Sequence, residues 1–211
     1  MLSTMWCPWL TVWNTSLRND STMADVITVI TGGIGSGKSV VSRMLAVMGY
    51  PTYDCDSRAK WLMQHDAHLR SQLSDLLGED IYNAQGQVRR DVMASRIFGD
   101  KQLLEAVNAV VHPAVRTDIE QWAEACCAKR VFVETALLDE SGLRNVAHDT
   151  WLVDAPVAVR VERVMHRSNL SVDEVNSRIR AQRTPLDCDH IILNDGAKAV
   201  LPQVLEILGD T

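Results

Sequence analysis

The sequence predicts an α/β protein, and three observations predict it. Short apolar, β-branched runs recur at 26–30, 50–53, 131–134, 151–154 and 190–193. Between them lie longer stretches with apolar residues at helical spacing. The first strand and the first helix are joined by a glycine-rich loop, Gly32-Gly33-Ile34-Gly35-Ser36-Gly37-Lys38-Ser39.

That loop organises the rest. It fits G-x-x-x-x-G-K-[ST], follows the strand Val26-Ile27-Thr28-Val29-Ile30 and opens a helix from Val40 to Met48 that Gly49 closes. Glycines let the backbone fold tightly, so that several N–H groups point inward at a polyphosphate. The helix N-terminus adds partial positive charge. Lys38 is expected at the β- and γ-phosphates and the Ser39 hydroxyl on Mg²⁺. The pattern predicts a P-loop NTPase fold binding a nucleoside triphosphate through Gly33, Ile34, Gly35, Ser36, Gly37, Lys38, Ser39 and Val40.

Length and composition bound the answer. The 211 residues suffice for one α/β domain with an inserted helical piece. The charged fraction is 23% and the net charge −6, so no basic surplus points to nucleic acid. No apolar run reaches the roughly 18 residues of a membrane span. Five cysteines, at 7, 55, 126, 127 and 188, show no C-x-x-C spacing and read as free thiols of a reducing cytoplasm. The expectation is a cytoplasmic monomer acting on a small molecule, with neither nucleic acid nor membrane as partner. Residues 1–22 differ from the remainder: Trp6, Trp9 and Trp13 sit among Ser, Thr and Asn, without the charged start of a signal peptide. They read as a disordered leader or the product of an upstream start, with the P-loop domain spanning 23–211.

The remaining elements follow in order. Tyr50-Pro51-Thr52-Tyr53 is a second strand, which puts Asp54 at its carboxyl end, where open α/β sheets bind ligands. A carboxylate there could take the proton from an attacking hydroxyl. The alternative is a helix cap for the segment from Ser57, which Asp56 could also supply. Leu62, Leu69, Leu73, Leu76 and Leu77 make a helical stripe ending at Gly78, and Asn83-Ala84-Gln85-Gly86 is a turn. Helices follow over about 91–98 and 101–110, and His112-Pro113 is expected to open another. Arg116 lies one turn after His112 on the same face. Val131-Phe132-Val133-Glu134 is the third strand; its terminal acid could hold Mg²⁺ through water. After Trp151-Leu152-Val153-Asp154, Pro156 stops the fourth strand. The next helix carries Arg160, Arg163 and Arg167 in one row, and Ser171-Val172-Asp173-Glu174 is a capping box opening a helix with Arg178 and Arg180. Two arginine-bearing helices on a short loop suit a lid over phosphates. His190-Ile191-Ile192-Leu193 is the fifth strand. The last helix runs to about Leu208, with Pro202 expected to delay its start.

At this point the residues resemble a known family, the dephospho-coenzyme A kinases. The likeness runs from about Val26 to Leu208. It rests on Thr31 to Ser39, on Asp54-Cys55-Asp56, and on Gly86, Arg90, Ile97 and Phe98. It also rests on His112-Pro113-Ala114-Val115-Arg116, on Leu137-Leu138 with Glu140-Ser141-Gly142, on Arg163, Arg167, Arg178 and Gln182, and on Asn194. The resemblance implies ATP in the loop, Mg²⁺ on Ser39, and the ribose 3′-hydroxyl of dephospho-coenzyme A as acceptor. It implies Asp54 as base, with His112, Arg116 and Glu140 on the acceptor side. It makes Arg163 and Arg167 nucleotide contacts, with Lys38 and Arg163 joining Asp54 in catalysis. It also implies a five-stranded parallel core (24–56, 130–158 and 188–211), a helical acceptor region at 60–125 and a lid at 160–185.

The chain departs from the family pattern at Ala136, Asp139, Glu134 and Arg89, where a proline, an aromatic, an aspartate and an aspartate are usual. The expectation is that these tune acceptor contacts and keep the chemistry. Two alternatives stay open: a kinase with another acceptor such as a nucleoside monophosphate, and a nucleotide-dependent switch. Asp139-Glu140-Ser141-Gly142 reads D-x-x-G, but no asparagine is followed by lysine, so the guanine-reading N-K-x-D is missing.

Overall fold

The computed structural model describes residues 24–168, 170–182 and 187–209. The leader expected at 1–22 and the Thr184-Pro185-Leu186 stretch lie outside the described residues.

Five strands form one sheet: β1 (Val26–Thr31), β2 (Thr52–Asp54), β3 (Arg130–Glu134), β4 (Asp149–Asp154) and β5 (His190–Leu193). Their order is β2-β3-β1-β4-β5, and every neighbouring pair is parallel. Parallel pairing brings all carboxyl ends to one edge of the sheet. The register sets Asp54 opposite Glu134 and Asp154 opposite Leu193. The strand order changes direction at β1, so the glycine loop leaves the middle of that edge.

Alternation along the strands divides the core in two. Ile27 and Val29 of β1, with Val131 and Val133 of β3, face one way. There they meet α2 (Cys55–His65), α3 (Ala67–Leu77) and α5 (Lys101–Ala125). Ile30, Phe132, Trp151, Val153 and Ile192 face the other way, against Val41 and Leu45 of α1 (Lys38–Val47) and Val204 of α8 (Val200–Leu208). The remaining helices are α4 (Arg90–Ile97), α6 (Val157–Arg167) and α7 (Val172–Ala181).

Three local expectations are corrected. Pro113 does not open a helix; it lies inside α5, which runs unbroken over 25 residues. Val107, Val111, Val115, Ile119 and Ala123 are buried at a spacing of four, and that stripe holds α5 together. Pro113 sits on the exposed face, as does Ala109, so water can reach the carbonyl that the proline has no N–H to bond. The leucine stripe at 62–77 belongs to two helices, because Asp66 ends α2 in extended conformation and caps α3 through Leu69 N–H. Pro202 does not delay α8 but occupies its first turn, where no N–H is needed.

Candidate active site

The loop is shaped from both sides. Gly37 caps α1 at φ 101°, a left-handed conformation that suits glycine. A Cβ there would fall 2.0 Å from the Asn194 amide nitrogen. Asn194 follows β5 and donates from Nδ2 to the Ser36 carbonyl at 2.8 Å. Arg163 donates to the Asn194 Oδ1 at 3.2 Å and lies 3.4 Å from the Ser36 carbonyl. Ile34 N–H donates to the Gln182 Oε1 at 2.7 Å.

The loop's own side chains meet the strand ends. Lys38 Nζ donates to the Gly32 carbonyl at 2.8 Å and reaches that of Gly33 at 3.4 Å. Burial pushes the Lys38 ammonium below its ordinary value; Glu134 and Asp56 pull the other way. Arg167 is exposed on α6, yet its charge also reaches Lys38. Ser39 Oγ donates to the Glu134 carboxylate at 2.8 Å. Val40 is exposed and gives its N–H to the Gly37 carbonyl.

Asp54 ends β2 and begins α2 with no residue between them. Its carboxylate accepts from the N–H groups of Asp56 and Ser57, at 3.0 and 3.3 Å, and from Ser57 Oγ at 2.5 Å. The cap that Asp56 could have supplied is therefore made by Asp54, and Asp56 turns its charge toward Lys38. Asp54, Glu134 and Ser39 line one cavity of about 260 Å³, with Thr52, Tyr53 and Arg43 among its other walls. Cys55 lies between the two aspartates; burial pushes its thiol up to about 12, so it stays protonated and inert near neutral pH.

Behind Asp54, one polar cluster links α2 and α5 to β2. Arg58 of α2 grips Asp118 of α5 through two nitrogens, at 2.7 and 2.9 Å, and Tyr53 OH donates to the same carboxylate at 2.5 Å. Burial drives the Asp118 carboxyl up, but the bonds from Arg58 and Tyr53 outweigh it and leave the group below its ordinary value.

The residues 112, 116 and 140 also come together. His112 hydrogen-bonds the Glu140 main chain, and its ring is held below its ordinary pKa, chiefly by burial. Arg116, one turn later on α5, donates to the Ser141 carbonyl and lies against Gly142. The Ser141 hydroxyl in turn donates to the Leu137 carbonyl. The Glu140 side chain is exposed. Asp139, at the family's aromatic position, pairs with Arg144 Nε at 2.6 Å.

Gln182 and Asn194 enter the sequence analysis only as points of family likeness, and Arg160 is a loop contact missing from both the likeness and the sequence-derived site. It was legible only as one of a row of three arginines. Its Nε donates to the Ile34 carbonyl at 2.9 Å, and only 6% of the residue is exposed.

A polyphosphate-shaped loop beside a strand-end carboxylate, on a parallel sheet, defines the class: a P-loop kinase. The dephospho-CoA kinase family model matches residues 26–199, and the chain belongs to that family. The dephospho-CoA kinase of Porphyromonas gingivalis is 42% identical over 184 residues, which are 85% of this chain and 91% of the relative. That of Bacteroides fragilis is 38% identical over 85% of this chain and 89% of its own. A Thermus thermophilus crystal structure superposes with a TM-score of 0.74 at 35% identity, covering 89% of this chain and 96% of its own. A dephospho-CoA kinase structure from Campylobacter jejuni shares the fold, with a TM-score of 0.61 at 20% identity over 87% of this chain and 96% of its own.

Proposed function

We propose that the chain transfers the γ-phosphoryl group of ATP to the ribose 3′-hydroxyl of dephospho-coenzyme A, with Asp54 as the general base. Membership of the family carries the reaction, the phosphorylation of dephospho-CoA to CoA. One observation carries the residue roles. The Asp54 carboxylate shares a cavity with Ser39, at the sheet edge where the phosphate loop begins.

ATP would take the loop N–H groups, and Lys38 Nζ would exchange the carbonyls of Gly32 and Gly33 for phosphate oxygens. Ser39 Oγ and Glu134, 2.8 Å apart, are hard oxygen donors of the kind that would hold Mg²⁺. Mg²⁺ held there would offset phosphate charge. Asp54 orients the acceptor hydroxyl and takes its proton as the oxygen bonds to the γ-phosphorus and the bond from that phosphorus to the leaving ADP oxygen breaks. Arg163 and Arg167 supply further positive charge from α6.

The acceptor's length suits the helical region. Asp56, Lys60 and Met63 lie at i, i+4 and i+7, on one face of α2. That face runs from beside Lys38 to a cavity of about 770 Å³ lined by Lys60, Arg90, Met63, Met93, Ile97 and Phe98. A basic entrance over an apolar floor matches a diphosphate followed by a pantetheine arm. His112 and Arg116 would serve by holding the 137–142 segment beside this region. No helix among the described residues is long and apolar enough to cross a membrane.

The test is turnover with Mg²⁺-ATP, following ADP and coenzyme A together. Adenosine and nucleoside monophosphates serve as parallel acceptors. The expected result is coenzyme A formed in step with ADP. ADP formed only with another acceptor would discard the substrate and keep the kinase. Nucleotide binding without acceptor-dependent turnover would favour the switch.

A further inference from the structure

Arg160 stands apart from the other arginines of α6. It is 6% exposed, and its Nη2 is buried with no hydrogen-bond partner. Its side chain runs along the back of the phosphate loop. A Cβ on Gly33 would fall 2.1 Å from Nη2, and a Cβ on Gly35 would fall 2.6 Å from the Arg160 carbonyl oxygen. Gly33 has no positive φ, so its backbone would accept any residue; the space is what Arg160 has taken.

The charge matters as much as the volume. A guanidinium stays protonated in proteins, and burying one without full compensation costs stability. The acid whose charge reaches it is Asp154, and that carboxylate already accepts from Ala155 N–H. The buried Nη2 lies against Gly33, in the loop whose pattern is that of a polyphosphate cradle. The charge of Arg160 also reaches Lys38.

We propose that Arg160 is a positioning residue for the phosphoryl donor: a fixed cation beneath the loop whose counter-charge is the polyphosphate of ATP. The proposal rests on the loop being the ATP site. Arg160 also sets the glycine requirement at position 33 and holds the Ile34 carbonyl by its Nε. Gln182 holds the N–H of the same residue. The lid helices therefore grip the loop at Ile34 from both sides.

The experiment measures thermal unfolding with and without Mg²⁺-ATP, and ATP affinity by calorimetry. The variants are Arg160→Leu, Arg160→Gln, Arg160→Lys, Gly33→Ala and the double variant Gly33→Ala/Arg160→Leu. Arg160→Leu should unfold at a higher temperature than wild type without nucleotide, since a buried cation is replaced by an apolar side chain. It should gain less from ATP and bind it more weakly, on the order of tenfold. Its KM for dephospho-CoA should not change. Arg160→Lys should keep part of the ATP response. Gly33→Ala should be impaired alone and recover stability when combined with Arg160→Leu.

A merely structural arginine would behave in the opposite way, with lower stability on removal and unchanged ATP affinity. That result overturns the proposal, as does strict additivity of the two substitutions. If Arg160→Leu does not fold, wild-type ATP affinity in Arg160→Gln overturns it instead. A wild-type protein that shows no response to ATP sinks the loop reading itself, whatever the variants do.

Discussion

Replacing Asp54 separates two jobs of one carboxylate, the helix cap seen in the structure and the base proposed above. As a cap, Asp54 accepts from two N–H groups of α2 and from the Ser57 hydroxyl. As a base, it faces the cavity shared with Ser39 and Glu134. Asn caps a helix about as well as Asp, whereas Ala loses about 1 kcal/mol. For a domain of this size, that is a fall of about 2–4 °C in Tm. A base contributes roughly 10²–10⁴-fold to turnover, and Asn cannot accept a proton. Asp54→Asn should therefore keep the wild-type Tm and ATP affinity while kcat falls by about that factor. Asp54→Ala should lose both turnover and the cap. The assay is ADP release with dephospho-CoA, beside thermal unfolding of the same samples. Normal kcat in Asp54→Asn would refute the base. A kcat loss that tracks the Tm loss across both variants would leave only the cap.

Three further outcomes follow from the surrounding groups. His112 is held below its ordinary 6.5, so the unfolded chain binds more protons between the folded value and 6.5. Stability should fall as pH drops through that window, and His112→Gln should flatten the denaturant midpoint measured from roughly pH 7 to 5; an unchanged slope would contradict this. Asp118→Ala strands the Tyr53 hydroxyl and should cost about 2–3 kcal/mol at neutral pH by urea unfolding. Because the Asp118 carboxyl lies below its ordinary 3.8, its stabilisation is present above that value and lost as pH falls through the folded one, so the penalty should shrink in acid. Asp139→Ala breaks a pair whose side chains are 50% and 38% exposed and should cost under about 1 kcal/mol; a larger loss would give the pair a role beyond the surface.

The features legible in the sequence are those set by local chemistry. The glycine loop, the acids at strand ends and the Ser171–Glu174 capping box each depend on neighbours within a few positions, and the structure has them where the pattern put them. What escaped depends on partners far along the chain. Pro113 reads as a helix start until the buried stripe from Val107 to Ala123 shows which side of α5 it occupies. Arg160, Arg163 and Arg167 look equivalent in sequence. Only the seating of α6 against Gly33 and Gly35 buries the first and leaves the last in solvent. The pairing of Asp118 with Arg58 and Tyr53 spans about 60 residues and carries no motif.

The direct join of β2 to α2 makes Asp54 an axle. A body turning about a fixed point leaves that point where it was. At 1.5 Å per residue, His65 lies about 16 Å from the junction, so a swing of about 10° carries it roughly 3 Å and moves the carboxylate hardly at all. Were the helical region to swing in this way around the proposed acceptor, the carboxylate proposed as base would keep its station over the sheet edge. Compliance where the proposed acceptor is gripped and stiffness where the bond is made would then meet at this one residue.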